Sequence, residues 1–541
     1  MINWLLYNTI GIRNRLVLRI SIGVLQIFAS LAFVWASKRV IDIATGIQEG
    51  ELGKGIFLMV TAITVEIGAS SLGSRMEKLL TLNVQNKLRF RLFRHLLVVK
   101  WGGRDVFHSG DTMNRLERDV KDVGDFVSVS FPSLIITIVQ FTASFFYLFR
   151  LNHHLACVMV GIIPFFLLIS KLYVKKMKQL THEVRSTEGN IQSFIQENLQ
   201  NKLVVKTLGM EFIQTGRLLD VQALLRKQVV RQTNYSLYSK VLISAGFACG
   251  YLTAFVWGAT GLYSGTITYG MMTAFLQLVG QIQRPIVQLA SLVPVCISTS
   301  TAVERLRDLE NQEEEPVESK VEVEDPIGIR LQDISFAYTS EGRKVMKEFS
   351  YDFPPGSRTA ILGETGAGKT TLIRLLLGLI TPDNGNIYLY DKIGQVVPVS
   401  SATRTSFTYI PQGNTLLSGT IRDNLLLGNP EADDEQLKEV LHIAVADFVF
   451  DLPGGLDTIC GEKGSTLSEG QAQRIAIARS LLSKGTVYLL DEVTSALDNV
   501  TEQILLERIN TYSRGKTLLF VTHRQKILAY CDQILTMNRE Y

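Results

Sequence analysis

Residues 363–371 read GETGAGKTT, which fits the phosphate-binding pattern G-x-x-x-x-G-K-[ST]. Glycines in such a loop let successive backbone N–H groups point at phosphate oxygens, and the helix that follows adds the positive end of its dipole. The pattern therefore requires a strand, a tight loop and a helix, and we place the strand at 359–362. Lys369 is expected to reach the β- and γ-phosphates, and the Thr370 hydroxyl is expected to bind Mg²⁺.

A second signal for phosphate chemistry is the apolar run VYLLDE at 487–492. Four apolar residues bury a strand and deliver two carboxylates at its C-terminal end, where open α/β sheets bind their ligands. We expect Asp491 to hold Mg²⁺ and Glu492 to act as general base toward the water that attacks the γ-phosphate. A purely structural role for Glu492, as a cap or an ion-pair partner, is the alternative.

The segment LSEGQ (467–471) opens the helical pattern QAQRIAIARSLL, so its N–H groups form another anion site. A phosphate loop, LSEGQ and VYLLDE in this order resemble the ATP-binding-cassette (ABC) ATPases, and everything before residue 310 resembles the membrane half of an exporter of that family. The resemblance implies a multidomain fold, in which an all-α transmembrane domain of six helices precedes an α/β P-loop ATPase domain. It also implies ATP and Mg²⁺ as ligands, with ATP hydrolysis coupled to transport.

The resemblance assigns roles to further residues. Tyr338, in ISFAY, matches the aromatic residue that stacks on adenine, and Gln412, in YIPQ, matches the glutamine that senses Mg²⁺ and the attacking water. His523, in FVTH, matches the switch histidine at the γ-phosphate. Asp498, in SALD, matches the acidic member of the loop that crosses the dimer interface. The expected metal ligands are Thr370, Gln412 and Asp491. The rest of the expected ATP-binding set is Gly363, Glu364, Thr365, Gly366, Ala367, Gly368, Lys369, Thr370, Thr371, Ser468, Gly470 and Gln471.

In the family, the LSEGQ segment contacts the γ-phosphate of ATP bound to the other subunit, so the resemblance implies a dimer. Glu469 departs from the commonest form of this motif, LSGGQ. Because a carboxylate aimed at a triphosphate would repel it, we predict that Glu469 points away and that Ser468 and Gly470 make the contact. A weakened composite site is the competing interpretation. A homodimer is favoured over a pairing with a different half-transporter, toward which Glu469 is the only hint.

The charge of the chain is unevenly distributed. Residues 1–312 carry 33 Lys and Arg against 19 Asp and Glu, whereas residues 313–541 carry 22 against 32. A basic half beside an acidic half favours lipid-adjacent loops over nucleic-acid binding. The charged segment 311–326, with two prolines, is predicted to be an acidic linker between a transmembrane domain at 1–310 and a cassette at 327–541. In the family, the cassette normally continues beyond a strand like DQILTM (532–537). Two interpretations are left: the chain is trimmed, or its cassette lacks the last packing layer.

Six apolar stretches come close to the roughly 20 residues that a helix needs to cross a bilayer. Several are apolar all round, unlike a surface helix of a soluble protein, and they argue against a soluble chromosome-maintenance or translation ATPase. These stretches are 16–35, 55–73, 131–148, 155–173, 241–263 and 271–297.

The distribution of Lys and Arg predicts the orientation of these spans. The loops at 151–154 and 264–270 are short and contain no Lys or Arg, whereas the segments after the second and fourth stretches are long and basic. The amino-terminal end, both long connections and the cassette are therefore expected in the cytoplasm, in an integral protein of the plasma or inner membrane. Within the connections, 107–120 and 197–209 resemble the family's coupling segments, which dock on the cassettes.

The sequence says less about the cargo. Glu66 lies in the middle of the second apolar stretch, and a carboxylate at that depth marks a possible cargo or ion site. It is predicted to bind a cation, to pair with Arg284 or to titrate during transport; a water-filled cavity or a structural ion pair is the alternative. A lipid, an amphipathic drug and a peptide all stay open as cargo. An ATP-gated channel or regulator is the runner-up function, but Glu492 and His523 favour a pump.

Overall fold

The computed structural model describes two compact units. One combines Met1–Phe93 with Met113–Glu310, and the other combines Arg94–Thr112 with Asn311–Tyr541. The described residues are Trp4, 11–101, 109–316, 319–321, 323–338, 344–461 and 466–538; inside the helices, the side chains of 109–110, 159–160, 162–175 and several single positions lie outside this set.

The first unit is helical, and its helices range from 6 to 53 residues in length. They are α1 Arg13–Ala44, α2 Leu52–Val98, α3 Ser109–Asn114, α4 Val120–Asp125, α5 Phe131–Leu151, α6 His153–Gln200, α7 Lys202–Thr207, α8 Glu211–Tyr263 and α9 Tyr269–Glu310, with π-helical turns at Arg115–Asp119 and Phe126–Ser130 joining α3, α4 and α5. The end of α2, from Arg94, and residues 109–112 of α3 belong to the second unit.

Among the described residues, five helical stretches are long and apolar enough to cross a membrane: α1, α2, Asp111–Leu151, Ser244–Tyr263 and α9. The fourth stretch predicted from the sequence lies in α6, and most of its side chains are outside the described residues. The helices α2, α6 and α8 have 47, 48 and 53 residues, about twice the roughly 20 that a bilayer requires. They therefore continue well beyond a membrane-crossing segment.

Hydrogen bonds between glutamines of α9 and hydroxyl groups of other helices connect this unit. The Thr137 hydroxyl donates to Oε1 of Gln288 at 3.2 Å, and the Ser144 hydroxyl donates to Oε1 of Gln281 at 3.2 Å. Nε2 of Gln281 donates to Oγ of Ser30 in α1 at 3.1 Å. Polar side chains hold apolar helices together in this way, since lipid provides no hydrophobic force between them. Gln281 thus joins α1, α5 and α9.

We predict that Gln281→Ala destabilises the helical unit by about 1 kcal/mol, because both of its interhelical hydrogen bonds are lost. The neighbouring substitution Gln283→Ala is the matched control, since the structure records no hydrogen bond for that side chain. Thermal unfolding of both variants in detergent measures the difference. Equal midpoints for the two variants would contradict the proposed role of Gln281.

The second unit contains two sheets. An antiparallel sheet of order β2-β1-β4-β5 is formed by β1 Gly328–Phe336, β2 Met346–Phe353, β4 Asn384–Tyr390 and β5 Val396–Pro398. A parallel sheet of order β6-β7-β8-β3-β9 is formed by β3 Arg358–Gly363, β6 Phe407–Ile410, β7 Val487–Asp491, β8 Thr517–Val521 and β9 Gln533–Met537. The α-helices are α10 Lys369–Leu376, α11 Ile421–Leu426, α12 Asp434–Ile443, α13 Glu469–Leu481 and α14 Asn499–Tyr512. Short 3₁₀ turns lie at Ser401–Ser406, Asp447–Asp451, Gly455–Asp457 and Gln525–Tyr530.

The parallel sheet is the centre of this unit. Every residue of β7 and β8 is buried, as expected for the apolar runs VYLL and TLLFV in a sheet that is covered on both faces. One apolar core joins β3, β7 and β8 to α10 and to the antiparallel sheet, and another joins the opposite face to α11–α14. Both faces of the sheet are thus committed to packing, which leaves the strand ends for chemistry.

Candidate active site at the edge of the parallel sheet

Strand register brings the predicted functional segments to one edge of the sheet. Because Ile361 pairs with Val521, and Val521 pairs with Asp491, the ends of β8 and β7 lie level with Ile361, two residues before the end of β3. The phosphate loop follows β3, Glu492 follows β7, and His523 comes two residues after β8. Gln412 comes two residues after β6, which pairs in parallel with β7. Segments more than a hundred residues apart in sequence therefore meet at the C-terminal edge.

The phosphate loop has a backbone that requires glycine. Gly366 and Gly368 have φ angles of +87° and +95°, a region that side chains disfavour. A Cβ on Gly363 would lie 2.5 Å from the carbonyl oxygen of Met537. Nζ of Lys369 donates to the carbonyl oxygen of Gly363 at 2.6 Å, so the ammonium group lies over the loop. Of the other predicted loop residues, Glu364 and Thr365 are exposed and Ala367 is buried.

Three side chains surround the aromatic ring predicted to meet adenine. The hydroxyl of Tyr338 lies 3.1 Å from Oγ1 of Thr371 in α10, and Nη1 of Arg374 donates to the same hydroxyl at 2.9 Å. The ring packs edge-on against Phe336 with centroids 5.0 Å apart. Tyr338 is therefore attached to the phosphate-loop helix, whereas the Thr370 side chain is exposed at the second residue of that helix.

The predicted catalytic residues are in contact with each other. Nε2 of Gln412 donates to Oε2 of Glu492 at 2.6 Å, and Nδ1 of His523 lies 3.3 Å from Oε1 of the same carboxylate. Glu492 has φ +48°, a backbone conformation that costs energy for any residue other than glycine. Its N–H donates to the carbonyl of Val521 at 3.0 Å. The fold thus fixes this carboxylate in a strained position between an amide and an imidazole.

Asp491 is buried at the end of β7, and the Tyr409 hydroxyl donates to its Oδ2 at 3.4 Å. Burial raises the pKa of the Asp491 carboxyl, and the charge of Glu492 raises it further; the Tyr409 hydrogen bond, Lys369 and Arg374 act in the opposite direction. Burial also raises the pKa of the Tyr409 hydroxyl, so it stays a hydrogen-bond donor. The carboxylate of Asp491 and the exposed hydroxyl of Thr370 are hard oxygen donors of the kind that Mg²⁺ prefers, so these residues fit that cation.

The LSEGQ segment forms a capping box at the start of α13. Oγ of Ser468 accepts from the N–H of Gln471 at 3.3 Å, and Oε1 of Gln471 accepts from the N–H of Ser468 at 3.0 Å. Glu469 is exposed. A Cβ on Gly470 would lie 3.0 Å from the carbonyl oxygen of Ala496, so the helix start and the SALD loop are closely packed.

The SALD loop is held by its own carboxylate and by Arg524, the arginine next to His523. Asp498 caps α14 by accepting from the N–H groups of Val500 and Thr501, and the Thr501 hydroxyl and these N–H groups lower the pKa of Asp498. Nη2 of Arg524 donates to the carbonyl oxygen of Ser495 at 3.1 Å. Nη1 of Arg524 lies 2.9 Å from Oε2 of Glu502, whose side chain is 1% exposed.

Sequence reasoning missed four residues of this region: Tyr409, Gln473, Arg374 and Arg524. Nε2 of Gln473 donates to the carbonyl oxygen of Glu492 at 3.4 Å, and its Oε1 accepts from the N–H of Ala496 at 3.4 Å. The sequence signal was weak but present, since Gln473 is a polar residue on the apolar face of α13 and is 1% exposed. No local pattern marks the other three.

Glu66 stands apart from these contacts. It is a half-buried residue of α2, and Arg284 of α9 is exposed. Neither residue takes part in an ion pair recorded among the described side chains, so the predicted pairing of Glu66 with Arg284 is not seen. The predicted cargo or ion site thus stays a prediction.

The fold, together with the residues at the C-terminal edge of the parallel sheet, defines a class of protein. It is a P-loop ATPase joined in one chain to long apolar helices. The family description "ABC transporter transmembrane region" matches residues 16–286, and "ABC transporter" matches residues 346–495. The chain belongs to the ABC transporters, as the order of its motifs predicted, and the transmembrane domain precedes the ATPase domain.

Relatives carry the same arrangement. An uncharacterized ABC transporter ATP-binding protein of Bacillus subtilis, YfiC, is 28% identical over 84% of this chain and 75% of its own length. A putative multidrug export ATP-binding/permease protein of Staphylococcus aureus is 27% identical over 83% of this chain and 78% of its own. The structure of a bacterial Atm1-family ABC exporter with ATP bound has a TM-score of 0.82 at 23% identity, covering 97% of this chain and 94% of that one, and so shares its fold.

We predict that Arg524→Ala lowers the free energy of unfolding of the cassette by about 3 kcal/mol, since it leaves the buried Glu502 carboxylate without its cation. The matched control is Arg330→Ala, which breaks the exposed pair with Asp352 and the stacking of Arg330 on Tyr390, and should cost about 1 kcal/mol or less. Calorimetry of the full chain measures both. Equal losses in the two variants would show that Glu502 does not depend on Arg524.

Proposed function

We propose that the protein is an ATP-driven exporter that works as a homodimer and hydrolyses two ATP molecules at the interface of its cassettes. The observation that carries the proposal is the contact of Glu492 with both Gln412 and His523 at the sheet edge beside the phosphate loop. A general base must lie within hydrogen-bond distance of the proton that it removes, and it must be held in a fixed orientation. The contacts with Gln412 and His523 give the Glu492 carboxylate a fixed orientation. The membrane helices and the cassette in one chain support transport as the coupled work.

In the proposed reaction, Glu492 accepts a proton from the water that attacks the γ-phosphate. Gln412 orients that carboxylate and the water, and His523 donates to the γ-phosphate from the adjacent strand end. Lys369 exchanges its loop carbonyls for phosphate oxygens and neutralises their charge. Thr370, Asp491 and Gln412 would hold Mg²⁺, which supplies further charge neutralisation when bound. Tyr338 stacks on the adenine.

The proposed dimer is needed because one cassette cannot complete its own ATP site. We propose that the start of α13, through Ser468 and Gly470, completes the ATP site of a second copy, and that Asp498 lies at the same interface. The capping box leaves the Ser468 hydroxyl hydrogen free to donate to an anion, because the cap uses only an oxygen lone pair. The exposed Glu469 is compatible with a side chain turned away from the phosphates.

The transport cycle we propose has two states. Two bound ATP molecules hold the cassettes together, and this closure switches the membrane helices from inward- to outward-facing; hydrolysis resets them. The cargo we propose is an amphipathic molecule, either a lipid, a drug or a peptide, released away from the cytoplasm. Vesicles that contain the protein, assayed for ATP-dependent uptake of each class, test this assignment. If ATP lets the cargo cross the vesicle membrane but the cargo does not accumulate inside, the protein is a gated channel instead.

We predict that Glu492→Gln lowers ATP hydrolysis by about 10²–10⁴-fold, because the general base is removed while the shape of the site is kept. ATP binding should stay within about threefold of wild type, since binding depends on the phosphate loop. ATPase activity and nucleotide binding in lipid nanodiscs measure the two effects. The surface variant Glu507→Gln is the control, and hydrolysis unaffected by Glu492→Gln would refute the assignment.

A mixing experiment tests the shared site. Lys369→Ala disables a phosphate loop and Ser468→Arg blocks the start of α13, so each variant alone should be inactive. If sites form between copies, a mixed pair concentrates both defects in one site and keeps the other intact. Co-reconstituted variants are therefore expected to regain ATPase activity that neither variant shows alone. Additive, near-zero activity in the mixture would mean that each copy completes its own site.

A further inference from the structure

A short strand pairing joins the end of α2 to the linker. The N–H of Lys100 donates to the carbonyl oxygen of Glu313 at 2.9 Å, and the N–H of Glu315 donates to that of Val98 at 2.8 Å. Val99 and Glu314 face each other in an antiparallel bridge. The segment 98–101 is thus held by backbone hydrogen bonds where α2 ends.

The linker is in turn bound to the C-terminal end of α10. Both carboxylate oxygens of Glu315 accept from Arg404, at 2.6 and 3.0 Å. Arg404 also donates to the carbonyl oxygens of Leu377 and Gly378, at 3.1 and 3.2 Å, which follow the last turn of the helix. A cation is favourable there, because the helix dipole is negative at this end. Segment 98–101 is therefore anchored beside the phosphate-loop helix through fixed contacts.

Trp101 follows this pairing and contacts α10 directly. The guanidinium carbon of Arg374 lies 4.5 Å from the centroid of the Trp101 ring, a cation–π arrangement. Arg374 lies one turn after Thr370 and Thr371 in α10. The same guanidinium donates to the Tyr338 hydroxyl at 2.9 Å. One planar group thus touches the end of the α2 segment on one side and the expected adenine platform on the other.

We propose that Arg374 is a positioning residue that couples the Tyr338 platform to Trp101, so that nucleotide binding and the conformation of segment 98–101 bias each other. The proposal rests on the proposed function, since it takes Tyr338 as the adenine contact. The Tyr338 ring has its hydroxyl fixed by Thr371 and Arg374 and its edge by Phe336. Because Arg374 makes both contacts from one rotamer, displacement of Trp101 loosens Tyr338, and adenine that moves Tyr338 moves Trp101. Such coupling is reciprocal by thermodynamic necessity.

A positive charge at position 374 is not sufficient to contact both the Trp101 ring and the Tyr338 hydroxyl. A guanidinium stacks with its plane on an indole while its N–H groups donate sideways, whereas an ammonium cannot do both. Arg374→Lys therefore keeps the positive charge near Asp491 but should lose the coupling. This makes the lysine variant more informative than alanine, which also removes the charge and part of the packing.

The first experiment uses Trp101 as its own reporter. The chain contains four tryptophans, so Trp4→Phe, Trp35→Phe and Trp257→Phe leave Trp101 as the sole indole. In nanodiscs and in the Glu492→Gln background, saturating ATP is expected to change the Trp101 emission. Arg374→Lys should abolish the change, and Arg330→Ala, which removes another stacked arginine at Tyr390, should not. An ATP-insensitive Trp101, or an identical response in Arg374→Lys, would overturn the proposal.

The second experiment separates affinity from turnover. Trp101→Ala and Arg374→Lys, each with the other tryptophans intact, should raise the KM for ATP about three- to tenfold and keep kcat within about twofold. Trp101→Phe should restore most of the affinity, because a phenyl ring still accepts the cation. A fall in kcat at unchanged KM, or no effect in either variant, would contradict the coupling.

Lys369→Ala separates this inference from the proposed function. If Lys369→Ala abolishes ATP binding, but Trp101 also fails to respond to ATP in the chain that keeps Lys369, the ATPase assignment stands and the coupling fails. If ATP binding survives Lys369→Ala, the proposed function itself is wrong.

Discussion

The parallel register of β3, β8 and β7 is the constraint on which the rest of the cassette depends. Pairing of Ile361 with Val521, and of Val521 with Asp491, sets the ends of β8 and β7 level with each other and within two residues of the end of β3. A slip of one residue would turn every buried side chain of β7 to the other face. Because both faces are packed in apolar cores, that slip is strongly disfavoured.

The sequence predicted those parts of the site that depend on local backbone chemistry. GETGAGKT predicted a strand, a tight loop and a helix, and the structure has them as β3, residues 364–368 and α10. It also predicted that strands such as VYLL are buried, because an unbroken apolar run suits a sheet covered on both faces. The positions of Tyr409 and Gln473 in the site could not be predicted from the sequence. Each acts through a partner far away in sequence, and only the three-dimensional packing of strand and helix brings the two within hydrogen-bond distance.

In the membrane helices, too, the sequence predicted local features but not the contacts that depend on packing. Length and apolar composition were sufficient to predict the five candidate spans found among the described residues, because a bilayer demands about 20 apolar residues whatever the helix packs against. The glutamines of α9 were not interpretable in this way, since a glutamine in an apolar run is equally compatible with a cavity and with a contact between helices. The structure assigns Gln281 and Gln288 to hydrogen bonds with hydroxyl groups of α1 and α5. Such bonds occupy polar groups of α9, whereas Glu66 takes part in no ion pair recorded among the described side chains.

Several residues of the cassette have a structural partner on one side and an open hydrogen-bonding group on the other. Ser468 caps α13 with a lone pair and keeps its hydroxyl hydrogen, and Lys369 rests on a loop carbonyl that phosphate oxygens can replace. Glu492 is held by Gln412 in a strained backbone conformation. In each case the local contact fixes the group before ligand arrives, which lowers the entropy lost on binding. A site built in this way needs little rearrangement within one cassette, which fits the proposal that the larger conformational change is the approach of a second copy.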